Sequence, residues 1–280
     1  MNHALKVAFA QAANRDWQAV FLPDPIDELG IPDNAHAYLR NFFKELKVYS
    51  FHELKEDVVG ELFEEIIEPS ERHRLGQYFT KEDLVDFVIA SVVSDKEGIY
   101  CDPTCGSGTF LIRLYDRLKY LSQQRKTHTE LLNQIWGMDI AKFPAELSTI
   151  NLFRQSATNF ENFPRVINKS IFDIMKGFVT EFPPTDAGRN YTSKIKIILP
   201  EFNAIVGNFP FIRQELIEKK DQGFKDELTR LLAEEYFFSY PKLFETKNKT
   251  EDVVNHLQLL SKEKQNKEFK RLIKEKKISL

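Results

Sequence analysis

Cysteine is scarce in this sequence, with only Cys101 and Cys105 among 280 residues. Two cysteines are too few for a disulfide framework or for a zinc site with four cysteine ligands. The six histidines show no metal-ligand spacing, so we expect no metal site. These absences favour a protein of the reducing cytoplasm.

Long apolar runs are also missing. No stretch approaches the roughly 20 apolar residues that a membrane-spanning helix needs, so we expect no membrane partner. The N-terminal segment MNHALKVAFAQAANRDW places a lysine inside its apolar stretch and offers no clear cleavage site. The sequence therefore predicts no signal peptide.

The chain has no excess of positive charge. Its 39 Lys and Arg residues face 42 Asp and Glu residues, which gives a formal net charge of −3. Proteins that coat nucleic acid through bulk charge are usually basic, so any such role must depend on a local site or on another domain. Residues 242–280 carry 11 Lys and Arg against 6 Asp and Glu, which fits either a solvated helical hairpin or a phosphate-contacting surface.

Strands and helices alternate after residue 80. Apolar runs predict short strands over 98–101, 134–138, 165–171 and 202–206. Helical periodicity predicts a helix capped by Thr80 and running to Val92, and further helices over 109–121 and 144–153. Residues before 70 indicate helix, and residues 176–200 indicate mostly loop. The alternation predicts an α/β fold with a parallel sheet and right-handed crossovers.

A glycine-rich segment, DPTCGSGTF from Asp102 to Phe110, lies between the first predicted strand and its helix. Gly106 and Gly108 allow the backbone to approach a ligand closely, and the following helix offers free backbone amides. The third glycine of the dinucleotide motif is replaced by Leu111, and no Gly-Lys-Ser/Thr of a P-loop is present. The segment predicts a nucleoside-binding loop rather than a polyphosphate-binding one.

Polar residues follow the other three predicted strands. Asp139 ends the second strand, where an acid can accept hydrogen bonds from ribose hydroxyls, and Asp173 follows the third. Asn208 follows the fourth strand in the sequence GNFPF, which combines a side-chain amide with aromatic rings. Each signal alone also fits a simple strand-ending turn. Together they predict a site at one edge of the sheet.

These motifs resemble those of the adenine-specific N-6 DNA methylase family of restriction–modification systems, in the family's gamma order. The segment GQYFT, 76–80, is similar to the family's segment upstream of the glycine-rich loop, and the run DVVGEL, 57–62, resembles its helical lead-in. The resemblance implies a catalytic set at Asn208, Phe209, Pro210 and Phe211. It implies S-adenosylmethionine contacts at Gln77, Tyr78, Phe79, Thr80, Asp102, Pro103, Gly106, Ser107, Gly108, Asp139 and Asp173.

The resemblance also implies the fold and the reaction. The fold would be a Rossmann-like methyltransferase core, and the reaction would move a methyl group to the exocyclic amine of adenine in double-stranded DNA. The adenine would leave the duplex to reach the site. We expect a helical N-terminal segment over 1–72, a partial catalytic core over 73–240 and a charged, helical tail over 241–280.

Two departures from the family pattern leave alternatives open. Phe209 stands where the family has the first catalytic proline, and only about four strands of the sheet can be placed. We therefore expect the core to be truncated after the fourth strand, with a further polypeptide or C-terminal region supplying the remaining strands and target recognition. The alternatives are a non-catalytic subunit and a protein-glutamine methyltransferase. A bifunctional nuclease is less favoured because we find no convincing Pro-Asp…Glu-x-Lys nuclease set before residue 76.

Overall fold

The computed structural model describes residues 2–13, 29–47, 80–156, 163–174, 177–182, 195–209 and 223–279. The chain forms two compact units, Met1–Pro210 and Phe211–Leu280. The predicted division into a helical segment over 1–72, a partial catalytic core over 73–240 and a charged tail over 241–280 stays a prediction.

The first unit contains six helices and six strands within the described ranges. The helices are α1 (Asn2–Ala13), α2 (His36–Leu46), α3 (Glu82–Val92), α4 (Thr109–Leu121), α5 (His128–Asn133) and α6 (Lys142–Phe153). The strands are β1 (Tyr100–Asp102), β2 (Ile135–Asp139), β3 (Arg165–Asn168), β4 (Val179–Phe182), β5 (Ile195–Ile198) and β6 (Ala204–Ile205). Short 3₁₀ helices cover Asp33–Ala35, Arg154–Ser156 and Ile171–Asp173.

Four of these strands form one parallel sheet in the order β3-β2-β1-β6. The chain moves outward from β1 to β3 and then returns to the other side of β1 with β6. In a parallel α/β sheet, this reversal creates a crevice at the carboxyl ends of the two strands, here β1 and β6. The predicted α/β fold with a parallel sheet is confirmed.

The sheet is covered on both faces. Successive residues of a strand point to opposite sides, so neighbouring residues of one strand belong to different cores. On one side Tyr100 and Ile135 pack with apolar residues of α3, α4 and α5, among them the fully buried Leu114. On the other side Cys101 and Trp136 form a cluster with Phe182 of β4. Burial on both faces explains why β1 and β2 read as continuous apolar runs.

The predicted helix over 109–121 coincides with α4, which begins directly after Gly108 in a left-handed conformation. The predicted cap of α3 is wrong. That helix begins at Glu82, and its N-cap is Lys81, which makes no side-chain capping bond. The hydroxyl of Thr80 is instead engaged by Asn208, as described below.

Two further predictions need correction. The loop expected over 176–200 contains an antiparallel hairpin, because β4 pairs with β5 and buries Phe182 beside Trp136. The third strand ends at Asn168, before the predicted 171, because the Ser170 side chain accepts a bond from Phe172 N and starts a 3₁₀ turn.

The second unit has its own apolar core. It contains α7 (Phe224–Tyr236), α8 (Thr250–Gln258), α9 (Lys262–Lys274), a 3₁₀ helix (Pro241–Leu243) and the two-stranded antiparallel sheet of β7 (Glu245–Thr246) and β8 (Ile278–Ser279). Phe237, Leu257 and Phe269 lie at the centre of that core. Residues 242–280, the basic tail, therefore belong to a folded unit and are not a freely solvated helical hairpin. No helix in the described ranges is long and apolar enough to span a membrane.

Candidate functional site

The residues singled out from sequence converge at the carboxyl edge of the parallel sheet. The register pairs Asp102 of β1 with Gly137 of β2, and Cys101 with Ile205 of β6. Val206 N also donates to Cys101 O at 2.9 Å, which extends the pairing toward Asn208. The segments that follow β1, β2 and β6 therefore begin at the same edge.

The segment from Asp102 to Gly108, called the glycine loop from here on, uses its two glycines differently. Gly106 has a φ of +54°, and a Cβ placed there would meet nothing within 4 Å. Gly108 has a φ of +98°, and a Cβ there would lie 3.0 Å from Ser148 Oγ and 3.1 Å from Ser148 Cα. Gly108 thus lets the loop pack against α6, whereas Gly106 borders open space in which a ligand can lie.

Two buried polar residues of α6 hold the glycine loop. Ser148 Oγ donates to Gly106 O at 2.6 Å, and Asn151 Nδ2 donates to Ser107 O at 2.9 Å. Sequence analysis missed both residues. Their signal is a pair of polar residues three positions apart on the otherwise apolar face of a helix, a spacing that puts them side by side.

Asp139 joins the glycine loop to the end of β2. Its Oδ2 accepts a bond from Gly106 N at 3.0 Å, and its Oδ1 accepts one from Ala141 N at 2.8 Å. Burial raises the pKa of the Asp139 carboxyl, and these two bonds oppose that rise. Asn168 Nδ2 donates to the carbonyls of Asp139 and Ile140, both at 3.0 Å, and so braces the strand end from β3.

Asp102 lies between the ends of β1 and β6 and is only 1% exposed. Burial raises the pKa of its carboxyl to about 7, the bond from Thr104 N opposes the rise, and the Asp139 charge adds to it. A Cβ on Gly207 would lie 2.5 Å from Asp102 Oδ1. The Asp102 carboxyl therefore fills the space against which the backbone after β6 packs.

Asn208 is half-buried, and its Nδ2 donates to Thr80 Oγ1 at 2.9 Å across 128 positions of sequence. The ring of Phe209 is 51% exposed. Pro210 and Phe211 lie outside the described residues, as do Gln77, Tyr78 and Phe79.

The structure thus brings part of the predicted site together. Contacts and bonds link Gly106 with Asp139, Asp102 with Gly207, and Asn208 with Thr80. Pro103, Ser107 and Gly108 belong to the same loop. Asp173 ends the 3₁₀ helix after β3 and is exposed. The assignment of these residues to catalysis or cofactor binding stays a prediction.

The hydrogen-bonding groups at this edge of the sheet fit a nucleoside. A carboxylate has about four lone-pair sites, so Asp139 can accept ribose hydroxyls in addition to its two backbone donors. The open space beside Gly106 adjoins that carboxylate.

The N-6 DNA Methylase family model matches residues 54–279, which is well over half of the sequence. The chain belongs to the N-6 DNA methylase family. The family resemblance expected from the motifs is confirmed, and the match extends through the second unit.

Three solved structures are similar to part of this chain. The type IIL restriction-modification enzyme MmeI in complex with DNA is 20% identical, with a TM-score of 0.33 over 41% of this chain and 23% of MmeI. A modification subunit from Vibrio vulnificus YJ016 is 21% identical, with a TM-score of 0.31 over 42% of this chain and 25% of the subunit. The DrdV–DNA complex is 19% identical, with a TM-score of 0.37 over 53% of this chain and 16% of that one. The matched region spans a quarter or less of each of these structures.

Proposed function

We propose that the chain carries the S-adenosylmethionine site and the catalytic loop of an adenine-specific DNA methyltransferase of a restriction–modification system. The observation that carries this proposal is the position of Asn208. This residue follows β6, which lies next to β1 where the strand order reverses, and the glycine loop follows β1. Ligands of parallel α/β sheets bind at that crevice. Family membership supports the reaction class, and the site chemistry supports the roles of the residues.

S-adenosylmethionine would supply an electrophilic methyl group when bound. Asp139 would hold the ribose, since its carboxylate is half-buried and already fixed by Gly106 N. Gly106 would leave room for the cofactor beside the loop. Asp173, in the 3₁₀ helix after β3, would approach the adenine ring of the cofactor. The residues present therefore fit this cofactor.

The target amine is a poor nucleophile because its lone pair is delocalised into the adenine ring. Asn208 Oδ1 and the Phe209 carbonyl would accept hydrogen bonds from this amine and favour a more tetrahedral nitrogen. Their contribution is positioning and electrostatic stabilisation, without a strong base. The carbonyl that Phe209 provides is the same group that a proline would provide, but the backbone before it is less restricted.

Duplex adenine cannot reach a concave site while it is stacked, so the target base would be extruded from the helix. Phe211 would stack on the extruded ring, and the Phe209 ring two residues earlier is 51% exposed. Double-stranded DNA is therefore the proposed partner. The free thiols of Cys101 and Cys105 accord with the proposed cytoplasmic location.

The cofactor assignment is tested by titration calorimetry with S-adenosylmethionine on the wild-type chain and on Asp139→Ala. We expect about tenfold weaker binding in the variant, because the ribose hydroxyls lose a buried acceptor. Asp173→Ala tests the second proposed cofactor contact, and its exposed carboxylate predicts a smaller loss. Equal affinities in wild type and Asp139→Ala would refute the ribose contact.

The target assignment is tested by mass spectrometry of DNA digested after incubation with enzyme and cofactor. In an enzyme assembled with the further polypeptide, we expect N6-methyladenine when it holds the wild-type chain and at least a hundredfold less when it holds Asn208→Ala, with cofactor affinity unchanged. Methylcytosine alone would refute adenine specificity. Methylation of a release-factor glutamine, without DNA methylation, would favour the protein-glutamine alternative.

The predicted further polypeptide stays a proposal. The observation that supports it is the outer edge of the parallel sheet, at β6. Within the described residues β6 pairs only with β1, and Ile205 is 55% exposed. An open, apolar strand edge promotes association through its unpaired backbone groups. Sedimentation velocity at increasing concentration should show self-association. A strictly monomeric and fully active chain would remove the need for an added strand.

A further inference from the structure

Thr80 occupies an unexpected place at the site. Thr80 belongs to the predicted cofactor segment and is also the predicted cap of a helix. Its hydroxyl is therefore expected to face the cofactor or the first amides of α3. The hydroxyl oxygen instead accepts a 2.9 Å hydrogen bond from Asn208 Nδ2. The start of α3 has no side-chain cap, so capping does not occupy this hydroxyl.

The backbone next to Thr80 is firmly placed. Lys81 O accepts bonds from Leu84 N at 3.0 Å and from Val85 N at 3.1 Å, which fixes the first turn of α3. Val85 and Ile89 of that helix are buried in the core that covers the sheet. Thr80 thus lies two residues before a helix that packs on the same sheet from which Asn208 emerges, and its hydroxyl holds the amide.

The direction of this bond decides which edge of the amide is available. With Nδ2 bonded to Thr80, Oδ1 lies on the opposite edge of the planar amide, where it can accept from an amine. The reversed amide would present an N–H donor to the target amine, whose own hydrogens are donors. The 2.9 Å bond to the Thr80 hydroxyl holds the amide in place, and in the orientation seen here it leaves Oδ1 available to the target amine.

We propose that Thr80 is a positioning residue that orients the Asn208 amide toward the target amine, and that it is not primarily a cofactor contact. The inference rests on the proposed function, because it assigns to Oδ1 the acceptor role described above. It predicts that removing the Thr80 hydroxyl slows methyl transfer without weakening cofactor binding.

The experiment compares Thr80→Val, which keeps the shape but removes the hydroxyl, with Thr80→Ser, which keeps the hydroxyl. Thr229→Val is the matched control, because the Thr229 hydroxyl bonds only within α7, to Lys225 O. For each variant the measurements are kcat with duplex DNA, the Kd of S-adenosylmethionine, and the side-chain amide signal of Asn208 in a chain labelled with ¹⁵N at asparagine. Asn208→Asp assigns that signal by its disappearance.

In Thr80→Val we expect kcat to fall about tenfold, the loss of roughly one hydrogen bond, while the cofactor Kd stays within twofold. The Asn208 amide protons should shift and exchange faster in Thr80→Val, and Thr80→Ser should restore both kcat and the signal. Thr229→Val should match the wild type throughout.

Two results would overturn the inference. One is a cofactor Kd that weakens in Thr80→Val as much as in Asp139→Ala, and the other is an Asn208 amide signal that does not respond to Thr80→Val. If the wild-type chain does not methylate DNA even when assembled with the further polypeptide, the proposed function fails, and the amide signal still decides whether Thr80 holds Asn208. The two failures are thereby distinguishable.

Discussion

The glycine loop and the segment Gly207–Phe209, called the catalytic loop from here on, lie at the same edge of the sheet but are held in different ways. Hydrogen bonds donated by Ser148 and Asn151 fasten the glycine loop to α6, and the bond that Gly106 N donates to Asp139 fastens it to β2. Within the described residues, the catalytic loop is held by the packing of Gly207 on Asp102 and by the Asn208–Thr80 bond.

This difference suits the two proposed ligands. A small cofactor gains affinity from a preformed site, because few groups must become ordered when it binds. A base extruded from DNA arrives on a larger, moving partner, and a loop with few fixed points can adjust to it. The comparison therefore predicts that added side-chain atoms disturb the catalytic loop strongly. In the glycine loop, the loss of each single hydrogen bond should have a smaller, separate effect.

The largest effect is expected at the catalytic loop. In Gly207→Ala the new Cβ would lie 2.5 Å from Asp102 Oδ1, so a backbone or a buried carboxyl must shift. We expect unfolding free energy to fall by about 3 kcal/mol, as in overpacked cores, and methyl transfer to fall with it. Chemical denaturation and initial-rate assays measure the two effects.

Gly106→Ala serves as the counterpart in the glycine loop. Its Cβ meets nothing within 4 Å, so only the left-handed φ opposes it, at a cost of about 1 kcal/mol. Adding Asp102→Ala to Gly207→Ala should recover stability because it removes the clashing oxygen. Equal costs at both glycines would show that crowding does not distinguish the two loops.

Sequence predicted the elements of this site better than their connections. The helix α4 follows from local periodicity and from Gly108, and the strand-end positions of Asp139 and Asn208 follow from apolar runs. The Asn208–Thr80 bond joins residues 128 positions apart, and no local pattern specifies such a pair. Local signals thus place residues at strand ends, whereas tertiary packing decides which of them touch.

The α6 contacts and the β4–β5 hairpin were missed for the same reason. Ser148 lies in a helix of good apolar character, and its bond partner Gly106 O becomes visible only when α6 packs beside the loop. The hairpin is stabilised by Phe182 against Trp136 and Phe163, contacts between distant segments. A propensity argument over residues 176–200 cannot include those contacts.

An intermediate effect is expected for the titration of Asp102, which lies where the two loops meet. Its usual pKa of 3.8 rises to about 7 in the folded chain because of burial. Between these values the folded state binds more protons than the unfolded state, so stability falls as pH rises, and the loss is complete above about pH 7. We expect the unfolding free energy to fall by ~2 kcal/mol between pH 5 and 7 from this group.

Asp102→Asn keeps the size of the side chain and cannot titrate. Its unfolding free energy should be flatter than that of the wild type between pH 5 and 7, with the remaining slope due to groups such as Asp139, whose pKa is also raised by burial. Urea denaturation at a series of pH values measures the slopes. Parallel curves for the two proteins would mean that Asp102 is not held at the raised pKa.

The smallest effect tests the hydroxyl of Ser148, which bonds the glycine loop. Ser148 is fully buried, and its Oγ donates to Gly106 O at 2.6 Å, whereas the neighbouring Thr149 Oγ1 donates to Ala145 O within α6 at 2.9 Å. In Ser148→Ala the loop loses the bond to Gly106 O and a weaker 3.4 Å bond to Cys105 Sγ, so we expect about 1 kcal/mol of stability to be lost and S-adenosylmethionine to bind about fivefold more weakly. Thr149→Val removes a hydroxyl from the same helix without touching the loop and should leave cofactor affinity unchanged. If both substitutions weakened binding equally, the effect would come from α6 as a whole, and the glycine loop would not be preformed by its individual bonds.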